Sequence, residues 1–278
     1  MHDSEIPSSS GENYSYFESL LSNSSVEARA CEFIGVLPAA GTASRLPSLQ
    51  VPKELIPVAL VKDKATGKIS PIVAAEFSLL AMRRAGLKKC MIIVNNNKPE
   101  ILRYFGDGAK FEMSIAYVNQ VSPSGLAAAI DTASAWIDNA FVCLALPDTM
   151  YAPCDAPARI NEALLRQGAD IVLGVFPTDT PEQLGPVRIA EGGIVTEVLE
   201  KPTATDLRNT WGIAAWGPRF TKFLRLSKHI NRSIGHVFGE AAVNGLRVRA
   251  IFFEEGHYSD LGTETQIATL LGKQVWEI

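Results

Sequence analysis

A chain of 278 residues with 47% hydrophobic content can bury a sizeable core, as one large α/β domain or two small ones. The formal net charge is −4, cations and anions are spread along the chain, and no basic stripe stands out, which argues against nucleic acid as a partner. No Cys-x-x-Cys pair or histidine spacing suits zinc, and neither a basic-then-apolar leader nor a run near the ~20 apolar residues of a membrane span occurs, so the expectation is a soluble cytoplasmic protein with buried thiols at Cys31, Cys90, Cys143 and Cys154.

Residues 1–30 are rich in Ser, Glu and Asn and predict a partly disordered extension, in which Tyr14 to Leu21 has the pattern of a short amphipathic helix. The apolar run Phe33 to Leu37 predicts the first core strand. Small residues follow from Ala39 to Ser44, with Arg45 and Lys53 just beyond. Lys62 to Ser70 predicts a polar hairpin turning at Thr66-Gly67, and Pro71 to Ala85 a helix with Pro71 in its first turn and Gly86 at its C-cap. Cys90 to Val94 reads as a strand, Asn95 to Asn97 as a loop, and Pro99 to Tyr104 as the start of a helix. Ser114 to Val118 is a third strand, Ser124 to Ile137 a helix with Ser124 as N-cap, and Phe141 to Leu146 a fourth strand ending in Pro147-Asp148. This alternation predicts a mostly parallel sheet with helices on both faces. A helix from Pro157 to Gln167 and a strand from Asp170 to Val175 continue the pattern. Short strands then fall at Val187 to Ile189, Ile194 to Leu199 and Gly212 to Trp216, helices at Phe220 to Leu226 and Ile234 to Asn244, and a strand at Leu246 to Phe253. The turn His257 to Gly262 leads into a final helix, Gly262 to Leu271. With no long linker, the two halves read as one structural unit carrying two functional lobes.

Ligands of open α/β sheets bind beyond the carboxyl ends of the strands. The small residues after Leu37 would let backbone amides approach an anion, Arg45 offers a planar fork for phosphate and Lys53 a mobile charge; the bland alternative is a strand-to-loop connection with two surface cations. Asp148 is either a turn cap or a ligand for Mg²⁺, which takes one or two carboxylates plus substrate phosphates. Asp260 is its natural second carboxylate, or else the N-cap of the last helix. Gln120 is a solvated loop residue or a partner for the edge of a base, with Gly125 letting the base lie close to the backbone. Glu200-Lys201-Pro202 is a surface pair before a turn, or a site where Lys201 meets a second anion and Glu200 a hydroxyl pair. Trp211 and Trp216 read as core before ligand platforms, and His257 and Tyr258 are ambiguous in the same way.

Five ordered motifs resemble the sugar-1-phosphate nucleotidylyltransferases, the thymidylyl- and uridylyltransferase group in particular, across about Phe33 to Leu271. They are Leu37-Pro-Ala-Ala-Gly-Thr-Ala-Ser-Arg45 with Pro52-Lys53-Glu54-Leu55, then Gln120 to Ala127, Leu146-Pro-Asp148, Glu200-Lys201-Pro202, and Tyr258 to Thr263. The resemblance implies a Rossmann-like mixed sheet, the nucleotide-diphospho-sugar transferase fold, over residues 31–278, and an Mg²⁺-dependent transfer that joins a sugar 1-phosphate to dTTP or UTP and releases pyrophosphate. It also implies roles. Leu37, Ala39, Ala40, Gly41, Thr42, Gln120, Pro123 and Gly125 would hold the nucleotide, and Arg45, Lys53 and Asp148 would be catalytic. Gly185, Glu200, Lys201, Trp211 and Tyr258 would line the sugar-phosphate pocket, and Asp148 and Asp260 would bind the metal. Relatives commonly assemble, so a homo-oligomer, dimer or tetramer, fits the resemblance. Ala39, Ala40 and Ala43 stand where the family commonly has glycine, and the 45–53 segment is shorter than in uridylyltransferases, so base and sugar remain open. A non-catalytic nucleotide-sugar-binding regulator of the same fold is the alternative. A nicotinamide enzyme would need Gly-x-Gly-x-x-Gly, which this loop lacks.

Overall fold

The computed structural model describes residues 32–41, 51–62, 69–122, 124–227, 232–262 and 267. In chain order they form β1 (Phe33–Pro38), β2 (Pro57–Lys62), β3 (Ile69–Val73), α1 (Ala74–Arg84), β4 (Lys89–Val94), α2 (Pro99–Phe105), β5 (Ser114–Asn119), α3 (Leu126–Thr132), β6 (Phe141–Ala145) and β7 (Thr149–Ala152). Then come α4 (Ala156–Gln167), β8 (Ile171–Pro177), β9 (Val187–Ala190), β10 (Ile194–Val198), β11 (Asn209–Trp216), α5 (Pro218–Leu226), α6 (Ile234–Val243), β12 (Val248–Phe252) and β13 (His257–Asp260).

Nine strands make one sheet in the order β5-β4-β1-β6-β11-β8-β12-β10-β9. The first four are parallel, so their carboxyl ends fall on one edge. β11 runs antiparallel between β6 and β8, β12 is parallel to β8, and β10 and β9 complete the far side in antiparallel pairs. The sheet is therefore mixed, with a parallel core. Successive residues of β1 feed opposite layers: Leu37 joins Phe77, Ile92 and Ile160 on one face, while Val36 joins Ile130, Leu144, Phe220 and Phe238 on the other. Helices α1 and α4 thus cover one face and α3, α5 and α6 the other. Strands covered on both sides read as unbroken apolar runs, which is why β1, β4, β6 and β8 were recognisable from composition. Gly35 lets α1 approach closely, since a Cβ there would lie 2.6 Å from the Met82 sulfur. In the same row Cys90 and Cys143 flank Gly35 from the neighbouring strands, buried and free, as is Cys154.

Several sequence expectations are corrected. Pro71 is not in a helix: it pairs with Leu60 in the β2–β3 hairpin, and α1 begins only at Ala74, because Ile72-Val73 stay extended and hydrogen-bond into the ribbon. The hairpin is present, but its expected turn at Thr66-Gly67 lies outside the described residues. The helix expected over Ser124 to Ile137 is short, ending at Thr132, and Ser124 caps nothing; Gly125 precedes the first turn at φ +92°, a conformation suited to glycine. His257 to Asp260 is a strand rather than a turn, paired with β7. Gly86, by contrast, follows α1 at φ +88° and donates to the Arg83 carbonyl at 2.9 Å, as a C-terminal cap requires. The extension 1–30 lies outside the described residues, as does the expected final helix apart from Ile267. No helix among the described residues is long and apolar enough to cross a membrane.

Candidate active site

The site grows from the aligned carboxyl ends of β5, β4, β1 and β6. After β1 the chain passes through Ala39 and Ala40, both 1% exposed, to the exposed Gly41. Leu37 is fully buried beneath them. The Ala39 amide donates to the Ile93 carbonyl at 2.7 Å, so the loop stays stitched to β4 for one residue beyond the strand. At the end of β5 the Gln120 amide donates to the Val94 carbonyl at 2.8 Å, and the Gln120 side chain is buried. The structure thus lines up the expected nucleotide residues Leu37, Ala39, Ala40, Gly41, Gln120 and Gly125 on one edge; Thr42, Arg45 and Pro123 lie outside the described residues.

Lys53 opens a single 3₁₀ turn, Lys53–Leu55, and its ammonium meets the Asp148 carboxylate in an ion pair whose side chains are 19% and 18% exposed. Burial works against the lysine charge, yet the Asp148 carboxylate, with Glu54 and Asp260, outweighs it and holds the Lys53 pKa above the usual 10.5. Asp148 sits in the turn between β6 and β7, where the Leu146 carbonyl accepts from Ser78 at 2.9 Å and from Thr149 at 3.1 Å. The register of β13 on β7 sets Asp260 opposite Thr149, and the Leu261 amide donates to the Asp148 carbonyl at 2.9 Å. Two carboxylates far apart in sequence therefore both act on one lysine. Their oxygen donors suit Mg²⁺, which needs one or two carboxylates when phosphates complete its shell. Among the described residues no group of three or more acidic, histidine or cysteine side chains is arranged to hold a metal ion by itself.

Tyr258 is the wall next to this pair. Its ring stacks on Phe176 with centroids 6.1 Å apart and fills the space that a side chain at Gly212 would need. Burial raises its phenol pKa well above 10.0, and the charges of Asp260, Asp148 and Glu200 push it further. Glu200 shares this neighbourhood: it accepts from the Ser233 hydroxyl at 2.6 Å, and that hydroxyl in turn accepts from the Gly235 amide at 3.0 Å, capping α6. Gly185 accepts from the Trp211 amide at 3.0 Å, and any Cβ at Gly185 would collide with the Trp211 indole. Trp211 itself is 5% exposed and packs edge-on against Phe238, so it is a core residue. Trp216 is fully buried, its indole donating to Thr221 at 3.0 Å. The Lys201 side chain is exposed; its backbone is left-handed at φ +46° and donates to the Leu184 carbonyl at 2.8 Å.

Sequence reasoning missed three residues here. Glu54 and Lys98 form a buried pair at 2.7 Å, 1% and 6% exposed, and Asn95 bonds the Ala40 carbonyl at 2.5 Å. Burial raises the Glu54 pKa despite the opposing pull of Lys98. The available signal was position: Asn95 and Lys98 follow β4, whose carboxyl end lies on the same edge.

The family model described as Nucleotidyl transferase matches residues 34–271. A glucose-1-phosphate thymidylyltransferase of Neisseria meningitidis is 26% identical over 228 residues, 81% of this chain and 73% of the relative. One from Xanthomonas campestris pv. campestris is 29% identical over 171 residues, 60% of this chain and 54% of that one. In fold, a UDP-glucose pyrophosphorylase structure from Acinetobacter baumannii superimposes with a TM-score of 0.70 at 19% identity, covering 86% of this chain and 92% of the other. With most of its length matched by the family model, this chain belongs to the nucleotidyl transferase family.

Proposed function

We propose that this protein joins a sugar 1-phosphate to a nucleoside triphosphate, dTTP or UTP, giving a nucleotide sugar and pyrophosphate. The observation that carries the reading is the meeting of Lys53, Asp148 and Asp260 beside the small-residue loop that ends β1. An oxygen of the acceptor phosphate attacks the α-phosphorus in line, the new P–O bond forms, and the bond to the β-phosphate oxygen breaks, its electrons leaving with pyrophosphate. The acceptor phosphate is ionised near pH 7, so no general base is required. What remains is to hold two anions that repel each other and to spread the charge that builds at the α-phosphorus. Lys53 neutralises phosphate oxygens, and the amides of Ala40 and Gly41 donate to them. Asp148 and Asp260 would hold Mg²⁺, which when bound supplies positive charge to the phosphates. Glu200 orients acceptor hydroxyls, Tyr258 closes the wall as a neutral phenol, and Lys201 and Arg45 add charge for the sugar phosphate and the triphosphate respectively. Nothing in the charge distribution calls for nucleic acid.

The testing experiment is a matrix of triphosphates against sugar 1-phosphates, scored by pyrophosphate release with and without Mg²⁺. Metal-dependent turnover with at least one thymidine or uridine pair supports the reaction; nucleotide-sugar binding with no turnover across the matrix would replace it with the non-catalytic reading.

A further inference from the structure

Lys98 and Asn95, outside every residue assigned so far to substrate, grip the nucleotide loop from behind. The Lys98 ammonium donates to the Ala39 carbonyl at 3.0 Å and to Glu54 at 2.7 Å. The Asn95 amide donates to the Ala40 carbonyl at 2.5 Å, and its own carbonyl oxygen accepts from the Asn97 amide at 2.8 Å, which fixes its orientation. All three side chains, Glu54 included, are at least nine-tenths buried. A trans peptide points its C=O and the following N–H in opposite directions and cannot twist between them. Holding the Ala39 and Ala40 carbonyls on the Lys98 side therefore turns the Ala40 and Gly41 amides to the other side. Glu54 is also the residue after Lys53, so the same ammonium ties the loop to the turn that carries the lysine facing Asp148. A buried pair of this kind is seldom a net source of stability, because desolvation offsets most of its attraction. Its value lies in fixing relative position.

Resting on the proposed reaction, we infer that Lys98, Glu54 and Asn95 are positioning residues for the triphosphate: they aim the Ala40 and Gly41 amides and the Lys53 ammonium at its phosphates as one preset unit. They act through the loop and the turn and not by touching substrate. The alanines in this loop make such support more consequential, since fewer glycines leave fewer backbone conformations in which the amides can find the anion.

The test compares wild type with Asn95→Ala, Lys98→Met and the double variant Glu54→Gln/Lys98→Met, which leaves no lone buried charge. Folding is followed by thermal unfolding, and binding of α,β-methylene dTTP and UTP by calorimetry without acceptor. KM is measured separately for triphosphate and sugar phosphate. Misplacement of such donors by about 1 Å costs up to about a hundredfold, so Kd and KM for the triphosphate should rise about tenfold or more in the folded variants, with the acceptor KM nearly unchanged. Should the double variant fail to fold, Asn95→Ala reads the same alignment with the ion pair intact. Unchanged triphosphate binding in folded Asn95→Ala, or equal losses for both substrates, overturns the inference alone. Wild-type protein that binds neither analogue overturns the proposed reaction, and this inference with it.

Discussion

Replacing Lys53 with alanine is the sharpest test of the charge arrangement. In the structure its ammonium is four-fifths enclosed and faces Asp148, so it acts across a medium far less screening than water. A unit charge about 4 Å from a phosphate oxygen, at an effective dielectric near 20, is worth about 4 kcal/mol. Much of that attraction exists in the ground state too. The share that grows as the α-phosphorus gains charge is what slows turnover, and comparable single donors account for about 10²–10³ in rate. Lys53→Ala should therefore lose at least about a hundredfold in kcat, measured as pyrophosphate release at saturating triphosphate, sugar phosphate and Mg²⁺, while the far-UV spectrum stays native. The variant also leaves Asp148 and Asp260 without their lysine, so added Mg²⁺ should raise its melting temperature more than that of wild type. Near-normal pyrophosphate release from a folded Lys53→Ala protein would refute the role assigned to this side chain.

Two further outcomes follow from the same geometry. Asp148→Asn and Asp260→Asn should each cut turnover by about 10² or more and raise the Mg²⁺ concentration needed for half-maximal rate; an unchanged Mg²⁺ titration in Asp260→Asn would remove that residue from the metal site. The pH profile should be one-sided. Burial alone would lower the Lys53 pKa, but Asp148 and its neighbours raise it above 10.5, so the lysine keeps its charge through neutral and mildly alkaline pH and its contribution is lost only as pH rises through that raised value. Burial, then Asp260, Asp148 and Glu200, likewise keep Tyr258 neutral beyond 10.0. The acceptor phosphate titrates nearer neutrality, with a second pKa of about 6. Accordingly kcat/KM should climb through about pH 6 and stay level to pH 9, and a falling limb between pH 7 and 9 would count against the assignment.

Residues whose surroundings are local or uniform were readable in advance. The strands β1, β4 and β6 are sandwiched between helices, so their apolar runs announce them, and the acidic and basic motifs at their ends fall on one edge once the parallel order is recognised. Pro71 misled because its fixed φ suits a first helical turn and an extended ribbon equally, and only the partner strand decides. The strand His257–Asp260 carries no alternation of its own; its extended form comes from β7. Glu54 and Lys98 were invisible for a related reason: each alone resembles a solvated charge, and only the fold places them together in a dry interior. Lys201 is similar, since a left-handed lysine is dictated by its bond to Leu184 rather than by its own preference.

The β7–β13 ribbon has a consequence for synthesis. Asp148 is in place once the central strands have paired, but its companion arrives only when the segment that follows β12 emerges and adds four residue pairs to β7. Such distant closures come late, because the entropy of the intervening loop must be overcome first. A ribosome-bound chain halted after β12 would already have the strands of the main sheet yet lack half of its acidic couple. Under the proposed reaction, competence for chemistry would wait for this pairing.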